Sequence, residues 1–274
     1  MKRILVPTDF SDHAMYALKI AAQLAKEHDA ELLLLNLLDL PTHMNDAISN
    51  GVNIPEVMLY LNKTNERLDD LLEQDFLQHV KVSAVAKIEK AFQGIVKYSA
   101  EHDVDLIVMG SHGQSGFQDM IIGSNTEKIV RASNIPVLII KQENFNFKST
   151  NLVFASDFNN EIKKPFEKLV ALAKILNAHL NLVMINTPNS FKSNLVAEKR
   201  MSDFMQDYDL KNFSLHIYND TNVEKGILNF ANKVHADIIA VCTHGRTTFA
   251  HFFVGSISED LVNHAPKPVL TFKI

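Results

Sequence analysis

The chain has 274 residues, of which 46% are apolar and 22% are charged, and its formal net charge is −5. This composition is typical of globular domains and excludes a disordered or fibrous chain. Lys and Arg are scattered and form no basic tract, which excludes the usual pattern of a nucleic-acid-binding protein.

The single cysteine, Cys242, excludes a disulfide within the chain and is typical of a reducing compartment. The apolar run near the N-terminus stops at Pro7 and is too short for a secretory signal. No run approaches the roughly 20 apolar residues that span a bilayer. We therefore expect a cytoplasmic protein with no nucleic-acid and no membrane partner.

Short apolar runs alternate with helical patterns along the first half of the chain. The runs are rich in Leu and β-branched residues, as in strands that are buried on both faces of a parallel sheet. In chain order they predict strands at Ile4–Val6, Leu32–Leu38, Leu106–Met109 and Val137–Ile140, with helices at about 12–28, 56–78, 94–102 and 125–133. This alternation predicts a doubly wound α/β sheet with right-handed crossovers.

The second half of the chain repeats the first half. Asp9 and Phe10 match Asp157 and Phe158 at an offset of 148 residues, and residues 110–140 match 242–272 at an offset of 132. The first copy therefore has the longer middle segment, residues 39–65, which would suit a lid or a dimer contact.

A duplication of this extent predicts two domains. The polar stretch Lys141–Thr150 separates two apolar strands and contains no Gly or Pro, so we expect a short fitted connection rather than a flexible tether. We place the domains at residues 1–145 and 146–274.

Polar and glycine residues follow three predicted strands. Thr8 and Asp9 follow the first strand, Leu38 and Asp39 the second, and the glycine-rich residues 110–116 follow Leu106–Met109. Ligands of open α/β sheets bind beyond the carboxyl ends of the strands. We therefore expect a binding site at this edge.

Four of the nine glycines lie between residues 109 and 130. Gly110, Gly113 and Gly123 together with Ser124 form the spacing G-x2-G-x9-G-S. Glycine lets backbone N–H groups approach a ligand closely, and the start of a helix favours an anion. The spacing therefore predicts a phosphate cradle, although it is not a P-loop, because G-K-S/T does not occur.

A purely structural role for the same loop stays open. Ser124 and Glu127 match a capping box, and glycines also serve tight turns between a strand and a helix. Cys242 stands at the position that matches Gly110, which indicates that the fold alone does not require glycine there. Asp9 could bind a ribose hydroxyl or cap the next helix, but Ser11 is in the better capping position.

The sequence predicts no catalytic residue and no metal site. The twelve histidines show no H-x3-H spacing. Cys242 is better explained as a small buried residue than as a nucleophile. No G-x-S-x-G motif occurs, and neither a base nor an arginine finger is evident, so at most a slow ATPase is expected.

The segments ILVPTDFSDHAMYAL and IVMGSHGQSGFQDMIIGSNTEKIVRASNIPVLII resemble the universal stress protein family. Because both halves share these motifs, the chain resembles a tandem member. The resemblance implies two five-stranded parallel sheets in the order 3-2-1-4-5, of the adenine-nucleotide alpha-hydrolase-like type. It also implies that Val137–Ile140 pairs with Val269–Phe272, as a pseudo-dimer within one chain.

The resemblance further implies that the first copy binds ATP, with or without Mg²⁺. The glycines and the following Ser would hold the phosphates and part of the ribose, the residues after strand one would contact the adenosine side, and the end of strand two would meet the adenine. The implied binding residues are Pro7, Thr8, Asp9, Leu38, Gly110, Gly113, Gly123, Ser124 and Asn125.

Two departures from the family pattern affect this expectation. ATP-binding relatives often carry Arg or Lys around positions 114 and 118, where this chain has Gln114 and Gln118, followed by Asp119. We therefore expect a low affinity or the need for a counter-ion.

In the second copy Cys242 replaces the first glycine and Thr248 the third. A Cβ at position 242 would crowd a phosphate, so the second site is predicted to be degenerate for nucleotides. Arg246 restores a basic residue there, which leaves an anion or a different ligand open.

Three functions remain in competition. The first is an adenine-nucleotide-binding regulatory protein of the stress response. The second is a nucleotide-independent scaffold for a protein partner, or a homodimer, that uses the longer middle segment. The third is a slow ATPase. We rank them in that order.

Overall fold

The computed structural model describes residues 1–40, 55–113, 122–144, 146–243 and 254–274. Its strands are β1 Arg3–Pro7, β2 Glu31–Leu38, β3 Val82–Ile88, β4 Leu106–Gly110, β5 Val137–Ile140, β6 Asn151–Ala155, β7 His179–Asn186, β8 Phe213–Asn219, β9 Ile238–Thr243 and β10 Val269–Lys273. Its α-helices are α1 Asp12–His28, α2 Pro55–Leu72, α3 Ala91–Glu101, α4 Ser124–Ala132, α5 Lys163–Ile175, α6 Asn194–Met205, α7 Val223–Lys233 and α8 Val254–His264. Two 3₁₀ turns lie at Asp75–Leu77 and Asn160–Ile162.

The described part of the chain divides into two compact units. In the first unit the strands lie in the order β3-β2-β1-β4 and are parallel, with Ile4 of β1 opposite Leu32 of β2 and Leu106 of β4. In the second unit the strands of the second copy lie in the order β8-β7-β6-β9-β10. This is the predicted order 3-2-1-4-5, and the α/β fold class is confirmed.

Strand β5 belongs to the second compact unit, which holds residues 130–274 together with Ile122. There β5 pairs antiparallel with β10, and Leu138 lies opposite Leu270. The expected pairing of the last strands of the two copies is therefore confirmed. The boundary between residues 145 and 146, which rests on the sequence repeat, stays a prediction.

Strand β1 and helix α1 show why these residues form these elements. Ile4, Leu5 and Val6 are 0% exposed, as expected for a central strand that is covered on both faces. The apolar stripe of α1 is buried along the helix, and Ser11 caps its start by accepting a hydrogen bond from the Ala14 amide at 3.2 Å. The predicted cap is confirmed.

The sequence interpretation did not place β3. This strand lies at the edge of the first unit's sheet beside β2, and all but one of its residues are half-buried. An edge strand lacks the strong apolar run that marks a central strand. No helix in the described ranges is long and apolar enough to cross a membrane.

Candidate functional site

A cleft of about 160 Å³ lies in the first unit at the carboxyl ends of β1, β2 and β4. The cleft is lined by Pro7, Thr8, Asp9, Ala14, Leu35, Leu37, Ala91, Ile95, Met109, Gly110, His112, Gly113, Gly123, Ser124, Asn125 and Thr126. Eight of the nine residues expected from the sequence are among them, so the structure brings these eight together.

The exception is Leu38, whose place on the cleft wall is taken by Leu37. The Leu38 carbonyl accepts a hydrogen bond from the Glu89 amide at 3.2 Å, which continues the ladder between β2 and β3. Leu37 is held close to α3, because a Cβ on Gly94 would lie 2.7 Å from its Cδ2 atom. A role of Leu38 in ligand binding stays a prediction.

The turn after β1 is fixed by its own polar groups. The Thr8 amide donates to the Leu35 carbonyl at 2.9 Å, and the Thr8 hydroxyl accepts from the Phe10 amide at 3.1 Å. The buried Asn36 side chain donates to the Thr8 carbonyl at 2.9 Å. Phe10 has a φ of 65°, in the left-handed region that non-glycine residues seldom adopt. These hydrogen bonds fix the backbone of the turn that carries Asp9.

The Asp9 carboxylate is positioned against the glycine loop. Its Oδ1 atom accepts a hydrogen bond from the Ser11 amide at 3.1 Å. A Cβ added to Gly113 would lie 2.3 Å from Asp9 Oδ2. Glycine at position 113 therefore makes room for the carboxylate, which lies on the cleft wall.

Gly110 has a reason to be glycine that the sequence did not reveal. A Cβ at this position would lie 2.7 Å from the His13 carbonyl carbon and 2.8 Å from its oxygen, because α1 crosses β4 closely. The expectation that the fold does not require this glycine is wrong for the first copy. In the second copy, where Cys242 takes this position, the chain enters the corresponding helix through the 3₁₀ turn Asn160–Ile162.

Gly123 is the glycine that its described neighbours do not demand. A Cβ there would approach no described atom closer than the Ser111 carbonyl oxygen, at 3.5 Å, which is ordinary contact. Its amide donates to that same oxygen at 2.8 Å. Gly123 lies on the wall of the cleft, where a ligand could approach the backbone.

Helix α4 begins at the cleft. The Glu127 amide donates to the Gly123 carbonyl at 3.0 Å, so Gly123 is the capping residue and Ser124 is the first residue of the helix. The capping-box interpretation, with Ser124 as cap, is therefore wrong. Ser124 and Asn125 are exposed, and the buried Thr126 hydroxyl ties the helix to β4 by donating to the Gly110 carbonyl at 3.1 Å.

Charges are sparse on this cleft wall. Asp9 is the one acidic or basic side chain among the lining residues, apart from His112. His112 lies beside His13, with ring centroids 5.3 Å apart. Burial lowers the pKa of His13, and His112 lowers it further, against the opposing effects of Asp12 and Asp9. Phosphates in this cleft would therefore be held by N–H groups rather than by described cationic side chains.

Several predicted features fall outside the described residues. These are Gln114, Gln118 and Asp119 of the first loop, His244, Arg246, Thr248 and His251 of the second loop, and most of the longer middle segment. Within the described ranges, no group of three or more metal-ligating side chains is present.

The equivalent turn of the second copy contains an arginine that the sequence interpretation missed. Arg200 of α6 lies 3.7 Å from Asp157 and donates from Nε to the Phe158 carbonyl at 3.3 Å. In the first copy Arg67 of α2 lies over the ring of Phe10, at 3.9 Å from the centroid. Both copies therefore place an arginine beside the turn that follows their first strand.

Comparison with known proteins agrees with this architecture. The model of the universal stress protein family matches residues 1–141 and again residues 148–273. A universal stress protein structure from Archaeoglobus fulgidus superposes with a TM-score of 0.74 at 21% identity, covering 99% of this chain and 98% of that one.

Two relatives are similar in sequence, one to the whole chain and one to about half of it. Universal stress protein Slr1230 of Synechocystis is 22% identical over 296 residues, with all of both chains covered. Universal stress protein MJ0577 of Methanocaldococcus jannaschii is 29% identical over 160 residues, which cover 52% of this chain and 96% of that relative. The chain thus belongs to the universal stress protein family, with two copies of the family's domain in tandem.

Proposed function

We propose that the protein is an ATP-binding regulator of the stress response and that ATP occupies the cleft of the first copy. The observation that carries the proposal is Gly123. Its described neighbours leave ordinary contact distance for a Cβ, yet it lies at the cleft where α4 begins. A glycine whose Cβ would clash with no described atom, at the start of a helix, fits close approach of a phosphate chain.

One side of the cleft is apolar and the other is polar, which matches the adenine ring and the phosphates of a nucleotide. Leu35, Leu37 and Ile95 provide an apolar wall that suits an adenine ring. Asp9 lies between this wall and the glycine loop, where a carboxylate can accept hydrogen bonds from ribose hydroxyls. The exposed start of α4 offers the N–H groups of its first turn, which have no acceptor within the helix.

The charges on the cleft wall favour a role for a counter-ion. Three phosphates would meet no cationic side chain among the described lining residues, and Asp9 adds a negative charge. We therefore expect Mg²⁺ to accompany the nucleotide and the affinity to be modest. The role that we propose is binding rather than turnover.

Calorimetric titration of the full chain with ATP, with and without Mg²⁺, tests the proposal. Gly123→Val is the decisive variant, because no described atom would lie closer than 3.5 Å to its Cβ, while a phosphate close to the backbone would meet the side chain. We expect saturable binding to the natural protein and at least tenfold weaker binding to the variant, roughly the loss of one charge-assisted hydrogen bond. Equal binding by a folded Gly123→Val protein, or none by the natural protein at millimolar ATP, would contradict it.

A further inference from the structure

The second unit contains its own cleft, of about 250 Å³, at the carboxyl ends of β6, β7 and β9. It occupies the position in the repeat that corresponds to the cleft of the first copy. Its wall combines an apolar floor with one lysine. The residues that carry the argument are Ile162, Ile185, Lys192, Val223, Ile227 and Ile257.

Matched positions show how the chemistry of the second cleft differs. Asn125, exposed at the start of α4, is replaced by Ile257 in α8. Ala91, on the wall of the first cleft, is replaced by Val223. Ala14, on the wall of the first cleft, is likewise replaced by Ile162. Each change adds apolar volume, so this wall suits an apolar body better than a phosphate chain.

Lys192 is held at this cleft by a buried amide. The Asn186 side chain, 2% exposed, donates to the Lys192 carbonyl at 3.0 Å and accepts from the Lys192 amide at 3.2 Å. Asn186 matches Leu38 in the first copy, which cannot make these bonds. The loop after β7 is therefore fixed with Lys192 on the cleft wall.

Among the charged side chains that line this cleft, Lys192 is the one that could pair with an anionic ligand. Asp157 already faces Arg200 at 3.7 Å and accepts from the Asn159 amide group at 3.3 Å. Glu161 is exposed at the rim. For the Lys192 ammonium the described part of the structure records no acceptor. A carboxylate on a ligand would pair with it while the apolar body packs on the floor.

We infer that the second cleft binds a small amphiphilic anion, a carboxylate on an apolar chain or ring, with Lys192 pairing the carboxylate. The isoleucines and Val223 bury the apolar part. The two copies thus bind ligands of different classes. This inference does not depend on nucleotide binding by the first copy.

Decanoate, kept below the concentration at which it forms micelles, is a suitable probe for calorimetry with the full chain. We expect one saturable site per chain, with decanol bound more weakly. Lys192→Met should weaken decanoate binding about tenfold, the effect of losing one charge-assisted contact. Lys199→Met, on the exposed face of α6, is the matched control and should bind as the natural protein does.

Ile257→Asn restores the residue of the first copy and should also weaken decanoate binding. If that variant does not fold, as judged by circular dichroism, Lys192→Met alone decides. The inference is overturned if decanoate shows no saturable binding, if Lys192→Met binds it as tightly as the natural protein, or if ATP displaces it.

Discussion

A side chain at position 113 and the carboxylate of Asp9 cannot occupy their present places together, because a Cβ on Gly113 would lie 2.3 Å from Asp9 Oδ2. The glycine loop and the turn after β1 are therefore fitted to each other. The contact joins the two groups that we expect to hold the ribose and the phosphates.

Gly113→Ala should displace the Asp9 carboxylate and weaken ATP binding roughly tenfold, as expected for the loss of one charged hydrogen bond. A double-mutant cycle with Asp9→Ala provides the measurement, by calorimetry. In the Asp9→Ala background, the change at position 113 should have little further effect. Fully additive losses would show that Gly113 acts independently of Asp9.

Gly110→Ala should destabilise the protein by about 1–3 kcal/mol, the range for forcing an extra carbon into a packed site. The reason is the close approach of the His13 backbone, at 2.7 Å from the added Cβ. The free energy of unfolding, measured in urea, tests this. Gly123→Ala is the comparison variant and should cost less, because no described atom would lie closer than 3.5 Å to its Cβ.

Cys242 should be unreactive in the native protein. Burial, assisted by the nearby Asp157 carboxylate, raises the pKa of its thiol to about 12, so the nucleophilic thiolate is scarce at neutral pH. Labelling with a thiol reagent at mildly alkaline pH should be slow in the folded chain and fast after unfolding. Equally fast labelling of both states would contradict this picture.

Lys141 should make stability depend on alkaline pH. Burial lowers the pKa of its ammonium to about 8 in the folded protein, from 10.5. Between these values the unfolded chain binds more protons than the folded one, so this residue's contribution to stability rises with pH. Lys141→Met should remove that rise and stabilise the protein below the folded pKa. Urea unfolding at several alkaline pH values would measure both effects.

The repeat made much of the architecture predictable. The matched last strands led directly to the pairing of β5 with β10, and the motif spacing brought eight of nine expected residues to one cleft. These features depend on local pattern and on the fixed geometry of parallel sheets.

The remaining features depend on contacts between distant segments. Position 110 requires glycine because the backbone of His13 lies against it, and no local sequence pattern encodes this contact. That Leu37 rather than Leu38 lines the cleft depends on how closely α3 lies against β2. The role of Asn186 in fixing Lys192 appears only when the loop after β7 is folded back on the end of its strand.

The pairing of β5 with β10 bears on how the chain can be divided. A fragment that ends at residue 145 retains β5 but loses the strand to which it donates and from which it accepts hydrogen bonds. A fragment that begins at residue 146 leaves the matching edge of β10 bare. Open strand edges recruit other strands. Either half, expressed alone, would therefore tend to pair its exposed strand edge with another strand, most simply that of a second copy of itself.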